Sequence, residues 1–301
     1  MINGFVNISK PEDMTSSDVV CIVRGIFSRT TGEKCKAGHT GTLDPLASGV
    51  LPVALGKSTR LFDYLLSKKK RYSAVFRFGE TTDTLDRGGK LTESGGRVPD
   101  LREIREVLPS FVGEIDQLPP IYSAKSVDGK RAYNLARQGK PVSLAEKTVV
   151  VDSIDVAPTN NPREFAFAIQ CGAGTYIRAL ARDIAAKLGT VAYMTSLVRT
   201  ASGIFTLENA VTLDALKESP LQFVLPVDFP LNDSPAVSLS AECSALAKNG
   251  VPVDLRAPGC ETSFADSGCL KNGIVVRDEK GEFIGMGAVE NNTLKMRAVL
   301  C

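Results

Sequence analysis

The chain has 301 residues, 43% hydrophobic and 23% charged, with 36 Lys/Arg, 34 Asp/Glu and a net charge of +2. That is an ordinary globular mix. It excludes a disordered or fibrous chain, and the length favours one large domain plus a smaller one. The longest uncharged stretch, residues 165–177, falls short of the ~20 apolar residues of a bilayer-spanning helix.

Lys10, Glu12 and Asp13 leave no room for a signal-peptide apolar core, so a cytoplasmic protein without membrane contact is expected. Seven cysteines (Cys21, Cys35, Cys171, Cys243, Cys260, Cys269, Cys301) are scattered without a C-x-x-C, and His39 is the one histidine. This usage implies neither a disulfide framework nor a metal site. Charge is segregated along the chain. Residues 1–71 and 122–199 each hold 11 Lys/Arg against 6 Asp/Glu, while residues 80–116 hold 5 against 9 and residues 200–234 hold 1 against 5. Such alternation suits a protein with one anion-binding face.

In chain order, Thr15-x-x-Asp18 reads as a capping box, and Val19, Ile22, Val23 and Ile26 follow at helical spacing. Residues 38–52 hold three glycines and two prolines and are read as one rigid loop, anchored by Leu43, Leu46, Val50 and Leu51. Tyr72, Ala74, Phe76 and Phe78 alternate as a strand ending at Gly79. Asp100 with Glu103 opens a short helix that Pro109 should stop.

Phe165, Phe167, Ile169 and Cys171 alternate again, ending in Gly172-Ala173-Gly174. A helix is expected directly after, with Ile177, Leu180, Ala181, Ile184 and Leu188 inward and Gly189 as its stop. The turn-rich residues 225–235 look like a linker. Beyond them lie a helix over 241–248, a hairpin of 274–278 with 282–289, and a last strand over 293–300. Strands and helices interleave, so the class is mixed α and β, with a small mostly-β tail.

Asp44 stands among apolar neighbours, with Pro45 fixing the chain just after it. A carboxylate held that way needs a cationic partner. Residues 38–52 resemble the catalytic loop of the bacterial TruB family of tRNA pseudouridine synthases. The pattern G-H-T-G-x-L-D-P-x-A-x-G-x-L is met at every fixed position. The resemblance continues through Lys10-Pro11 with Thr15-Ser16, Lys70-Arg71-Tyr72, Thr82-Asp83-Thr84-x-Asp86, Pro119-Pro120-x-Tyr122-Ser123-Ala124, Gly129-Lys130, Ala136-Arg137-x-Gly139 and Gly174-Thr175-Tyr176-Ile177-Arg178.

By resemblance the fold is α+β: a mixed, mainly antiparallel sheet flanked by helices over residues 1–230, and a shortened PUA-like β domain over 235–301. An RNA-gripping insertion is expected near 122–150. The implied activity is isomerisation of uridine 55 in the tRNA T loop to pseudouridine, by base flipping, in a monomer and without cofactor. Asp44 takes the place of the residue that attacks or deprotonates the nucleoside, Arg178 that of its basic partner, and Tyr72 that of the ring stacked on the flipped uracil, also a candidate for removing the C5 proton.

Leu197 and Tyr176 match the pocket wall, and His39 a support for the T loop. Lys70, Arg71, Lys130, Arg131 and Arg137 are expected on RNA. Two positions depart from the pattern: Asp13 stands where glycine is usual, and Lys125 comes one place earlier than the usual lysine. The other readings are a synthase for another RNA and a tRNA-folding chaperone with secondary catalysis.

Overall fold

The computed structural model describes residues 2–66, 68–123, 126–127, 130–131, 144–232, 234–263 and 269–300. β1 (Gly4–Lys10) leads into α1 (Ser16–Thr31), β2 (Ala37–His39) and β3 (Ser48–Leu55); α2 (Phe62–Leu66) precedes β4 (Lys70–Phe78). The ladder of β5 (Glu80–Thr82) and β6 (Leu91–Ser94), then α3 (Leu101–Val107) and β7 (Gly113–Gln117), come before a small ladder, β8 (Ser126–Val127) with β9 (Lys130–Arg131). β10 (Lys147–Pro158) and β11 (Glu164–Cys171) form a hairpin, and α4 (Ile177–Lys187), β12 (Ala192–Ser202), β13 (Phe205–Thr206) and α5 (Leu213–Glu218) follow.

The sheet runs β1-β3-β12-β4-β11-β10-β7, with β2 on β3 and β13 on β12. All its strand pairings are antiparallel except β3 with β12, so the expected mixed, mainly antiparallel sheet is what forms.

Several local signals act as their chemistry dictates. The Thr15–Asp18 capping box starts α1, and the Asp100–Glu103 box starts α3. Pro109 does not stop that helix sharply. It enters the first turn of a 3-10 segment, Leu108–Phe111, where its missing N–H costs nothing. Gly189 (φ 68) closes the turn after α4.

The stretch expected as one rigid loop is instead a short crossing between two strands. β2 and β3 take its ends, leaving residues 40–47 as the loop proper. Leu51, Val53 and Leu55 of β3 enter a core with Val19, Val23 and Phe27 of α1, while Val50 and Ala54 enter the core on the opposite face. A strand buried on both faces shows a continuous apolar run, with no alternation to recognise. Pro52 fits there because its carbonyl accepts from Thr40 N (3.0 Å); its missing N–H therefore lies on that edge and costs no rung to β1.

The larger core packs α3 and α4 against β4, β10, β11 and β12, with Phe76 stacked on Phe167 at 4.3 Å. Beyond residue 235, β14 (Ala236–Leu239), α6 (Ala241–Lys248), β15 (Val253–Asp254), β16 (Glu261–Thr262), β17 (Cys269–Asp278), β18 (Phe283–Glu290) and β19 (Thr293–Val299) build a six-stranded sheet, order β15-β19-β18-β17-β14-β16.

The stretch expected as a linker is packed. Phe5 bridges to Leu225, and Val227, Phe229 and Leu231 join Phe5, Phe205, Val275 and Met286 in a core shared by both sheets. Arg277 pairs with Asp228 (2.7 Å) across the same seam.

Gly49 marks a tight backbone crossing beside the loop. Its φ is 101°, and a Cβ there would lie 2.3 Å from the carbonyl oxygen of Arg199 on β12. Gly49→Ala is therefore expected to cost more than about 3 kcal/mol of stability, because backbone must move on both strands. Urea unfolding checks this; a loss under about 1 kcal/mol would mean the crossing yields freely.

Candidate active site

The loop of residues 40–47 is held by side chains that arrive from three other elements. Ser16, at the start of α1, donates to Leu43 O (3.0 Å) and accepts from Leu43 N (2.9 Å). Lys10, 1% exposed at the end of β1, directs its ammonium at Pro11 O (2.8 Å), Met14 O (2.6 Å) and Pro45 O (3.1 Å). Asp13 N also donates to Pro45 O (2.9 Å).

Asp13, where glycine is usual, adopts a left-handed φ of 62°, which a short polar side chain tolerates. Arg199 of β12 donates to Gly41 O (3.1 Å), Thr42 O (3.4 Å) and Val50 O (2.7 Å). With Thr40 N on Pro52 O, five of the eight loop residues thus have their backbone fixed from outside, around Asp44.

Asp44 meets Arg178, as the apolar surroundings demanded. Arg178 Nε lies 2.9 Å from Asp44 Oδ2, with the arginine side chain 5% exposed and the aspartate 35%. The cation is sunk in protein and the carboxylate faces outward. Arg178 Nη1 also donates to Thr84 O (2.9 Å) and lies 3.4 Å from Asp86 Oδ2, while Nη2 donates to Tyr122 O (3.0 Å). A planar fork held at all three nitrogens has one orientation available.

Asp86 was part of a matched motif but drew no role from sequence. It is buried, and its Oδ1 accepts from Thr84 Oγ1 (2.7 Å) and Gly88 N (3.0 Å). Leu85 between them has φ 61°, a costly value for a branched side chain, in a turn that delivers Thr84 O and Asp86 together to Arg178.

Tyr176 occupies the N-cap position of α4 and has no side-chain cap of its own. Buried Gln117, from the end of β7, supplies one: its Oε1 accepts from Tyr176 N (2.8 Å) and its Nε2 donates to Tyr176 O (3.2 Å). This remote clamp sets the first turn of α4, hence Arg178. Gln117 had no sequence signal, since β7 and α4 are far apart in the chain.

Tyr72 is partly buried against the larger core, where Leu197 and Leu43 are buried. It lies opposite Arg199 in the β4–β12 register, and Leu197 lies opposite Ala74. Burial pushes the Tyr72 phenol above its usual value, and Arg199 pulls it part of the way back. Burial and the Arg199 charge lower the His39 imidazole, and its Nδ1 is buried without a hydrogen-bond partner among the described residues. His39 is thus a neutral wall of the loop.

Lys70 is a correction. It is 6% exposed, and its ammonium donates to Leu66 O and Lys68 O, so it caps a turn and is withdrawn from any phosphate. Arg71, the next residue, is exposed, as strand alternation requires. Lys130 and Arg131 lie on β9, with side chains outside the described residues; Arg137 and Lys125 lie outside them altogether. Among the described residues no three His, Cys, Asp or Glu side chains gather as metal ligands would, and no helix is long and apolar enough to cross a membrane.

Lys10 makes the site's geometry pH-dependent. Burial pushes its ammonium down to about 8, against the opposing pull of Asp44, Asp13 and Glu12. Because this folded value lies below the ordinary 10.5, burying the charged form costs stability below about pH 8, and that cost fades as pH rises toward 10.5. Activity should move the other way. Above about pH 8 one donor of the Pro45 clamp is lost, so the rate is expected to fall while stability does not. Lys70 titrates at about 8 as well. An alkaline limb that flattens in Lys10→Met and survives in Lys70→Met assigns the limb to Lys10; the reverse assigns it to Lys70.

Similarity to known proteins places this geometry in a class. Residues 28–177 match the family described as TruB family pseudouridylate synthase (N terminal domain), and residues 178–231 match tRNA pseudouridylate synthase B C-terminal domain. The boundary between the two matches falls inside one sheet, since β12 of the second is threaded between β3 and β4 of the first.

The chain is 40% identical over 296 residues to a tRNA pseudouridine synthase B of Caldanaerobacter subterraneus subsp. tengcongensis, covering 98% of each chain. It is 41% identical over 302 residues to that of Clostridium tetani, covering 99% of this chain and 100% of the other. Among solved structures, one described as a Cbf5-Nop10-Gar1 complex matches with a TM-score of 0.74 and 29% identity, over 99% of this chain and 83% of that one. The chain belongs to the TruB family of pseudouridylate synthases, enzymes that isomerise uridine within RNA.

Proposed function

We propose that this enzyme converts the T-loop uridine of tRNA, position 55, to pseudouridine, with Asp44 acting on the ribose. The observation that carries the reading is the 2.9 Å contact between a buried Arg178, engaged at all three of its nitrogens, and an outward-facing Asp44. Such a carboxylate is oriented before substrate arrives, and orientation is the larger part of what a single catalytic group can supply.

The reaction breaks the N1–C1′ bond, turns the uracil, and rejoins it through C5. It involves no net redox change and no hydrolysis. Asp44 serves either as nucleophile at C1′ or as base at C2′. A rate slowed by deuterium at C2′ selects the second role, and an unchanged rate the first. Leu197, Leu43 and the Tyr72 ring supply an apolar wall beside the carboxylate, which keeps water from the detached sugar.

A stacked base must be flipped out before Asp44 reaches it, at a cost of a few kcal/mol. Stacking on Tyr72 returns ~1–3 kcal/mol. Its raised phenol keeps Tyr72 neutral at pH 7, which suits stacking better than proton abstraction. Arg71 and Lys68, both outside the core, are the near cations for backbone phosphates, with Lys130, Arg131 and Arg137 on the insertion. The unit beyond residue 235 is assigned to the acceptor side of the tRNA, and residues 1–230 to catalysis.

Tritium release from [5-³H]uridine in a T-arm stem-loop tests the assignment. Release that disappears when cytidine replaces the target uridine supports it. No release from that RNA, with release from another uridine-containing RNA, overturns the T-loop target while leaving the chemistry.

A further inference from the structure

The largest fully buried side chain among the described residues touches neither Asp44 nor Arg178. That side chain is Arg199, 1% exposed. Among the described residues no carboxylate pairs with it, and its side-chain hydrogen bonds go to backbone carbonyls. A buried cation without a counter-ion is costly unless its N–H groups are all used.

Three of the five go to the carbonyls of Gly41, Thr42 and Val50. These hold the guanidinium in one plane against the Asp44 loop. Arg199 also lies directly opposite Tyr72 in the β4–β12 register, so the two side chains leave the sheet on the same face as neighbours. Neutral carbonyls leave the charge uncancelled, so its field acts on what surrounds it: Tyr72, Lys10, Lys70 and His39. The latter three are further cations or a neutral ring. The phenol is the one group there that an uncancelled positive charge favours, against weaker opposing influences from Cys171 and Asp44.

We infer that Arg199 is a positioning residue for the isomerisation that acts through Tyr72, fixing the phenol oxygen relative to the Asp44 loop that the same guanidinium holds. The inference rests on the placement of Tyr72 in the base pocket. It differs from a role as a simple staple, which would hold the loop without regard to Tyr72.

The two are separated by measuring single-turnover rates and RNA affinity for wild type, Arg199→Lys, Tyr72→Phe and the double variant, alongside NMR of [ζ-¹³C]tyrosine-labelled enzyme. The signal missing from Tyr72→Phe identifies Tyr72. Arg199→Lys is expected to lower the rate about 10- to 100-fold with affinity within about threefold, and its effect should shrink below about threefold once Tyr72 is Phe. The Tyr72 signal should move in Arg199→Lys while those of the other tyrosines hold.

An equal rate loss in both backgrounds, or an unmoved Tyr72 signal, overturns the coupling and leaves the staple. A wild-type rate in Tyr72→Phe overturns it too, leaving stacking intact. A wild-type rate in Tyr72→Ala instead removes Tyr72 from the pocket, which is the failure of the underlying reading. Should Arg199→Lys not fold, the guanidinium ¹⁵N signals of Arg199 in Tyr72→Phe decide: a shift supports the contact, and no shift overturns it.

Discussion

Asp44→Asn is expected to lower isomerisation by at least about 10⁴-fold while RNA affinity stays within about threefold. Asparagine keeps the size and the acceptor facing Arg178 but removes the charge, and with it both possible actions on the ribose. The fold should tolerate the change. Arg178 would still have Asp86, Thr84 O and Tyr122 O, so no buried cation is stranded. Phosphate contacts that dominate affinity lie elsewhere on the protein. Single-turnover tritium release and a binding titration on the same stem-loop check both halves. A residual rate within about tenfold of wild type would sink the role of Asp44. Equal loss of binding and rate would make it a substrate-holding residue instead.

What the sequence made legible divides along physical lines. The need for a cation near Asp44 followed from an ionised group in apolar company, but nothing in spacing pointed to Arg178. It arrives from a helix whose start is set by Gln117 on another strand. Local signals such as the two capping boxes and the alternation in β4 and β11 could be read because neighbouring residues produce them. β3 could not, because burial on both faces erases the period of two.

Lys70 shows a different failure. The run Lys68-Lys69-Lys70-Arg71 reads as one charged face, yet Tyr72, Ala74, Phe76 and Phe78 already fix the inward parity of the strand. Extending that parity by one step points Lys70 inward and Arg71 outward, as found. The same reasoning along Leu197, Arg199 and Ala201 points Arg199 inward, a signal that the short apolar stretch around it concealed.

Arg178→Lys should cost about 10²–10³-fold in rate, the scale of losing one preorganised electrostatic contact, despite keeping the charge. The guanidinium reaches Asp44 through Nε, Asp86 and Thr84 O through Nη1, and Tyr122 O through Nη2. An ammonium has three donors on one atom and cannot address partners spread along a fork. It would settle toward the deeper set, Asp86 and the two carbonyls, where desolvation is most costly, and Asp44 would be left to choose its own rotamer.

The loss should therefore fall on the rate at saturating RNA, with affinity nearly unchanged and stability lowered by about 1–3 kcal/mol. Asp86→Asn supplies the contrast. It loosens Arg178 without breaking its contact to Asp44, so a smaller loss, about tenfold, is expected from the same assay. If Asp86→Asn proved as damaging as Arg178→Lys, the orientation of Arg178 would matter as much as its contact. If Arg178→Lys kept the wild-type rate, charge alone would suffice and the buried fork would be serving the fold.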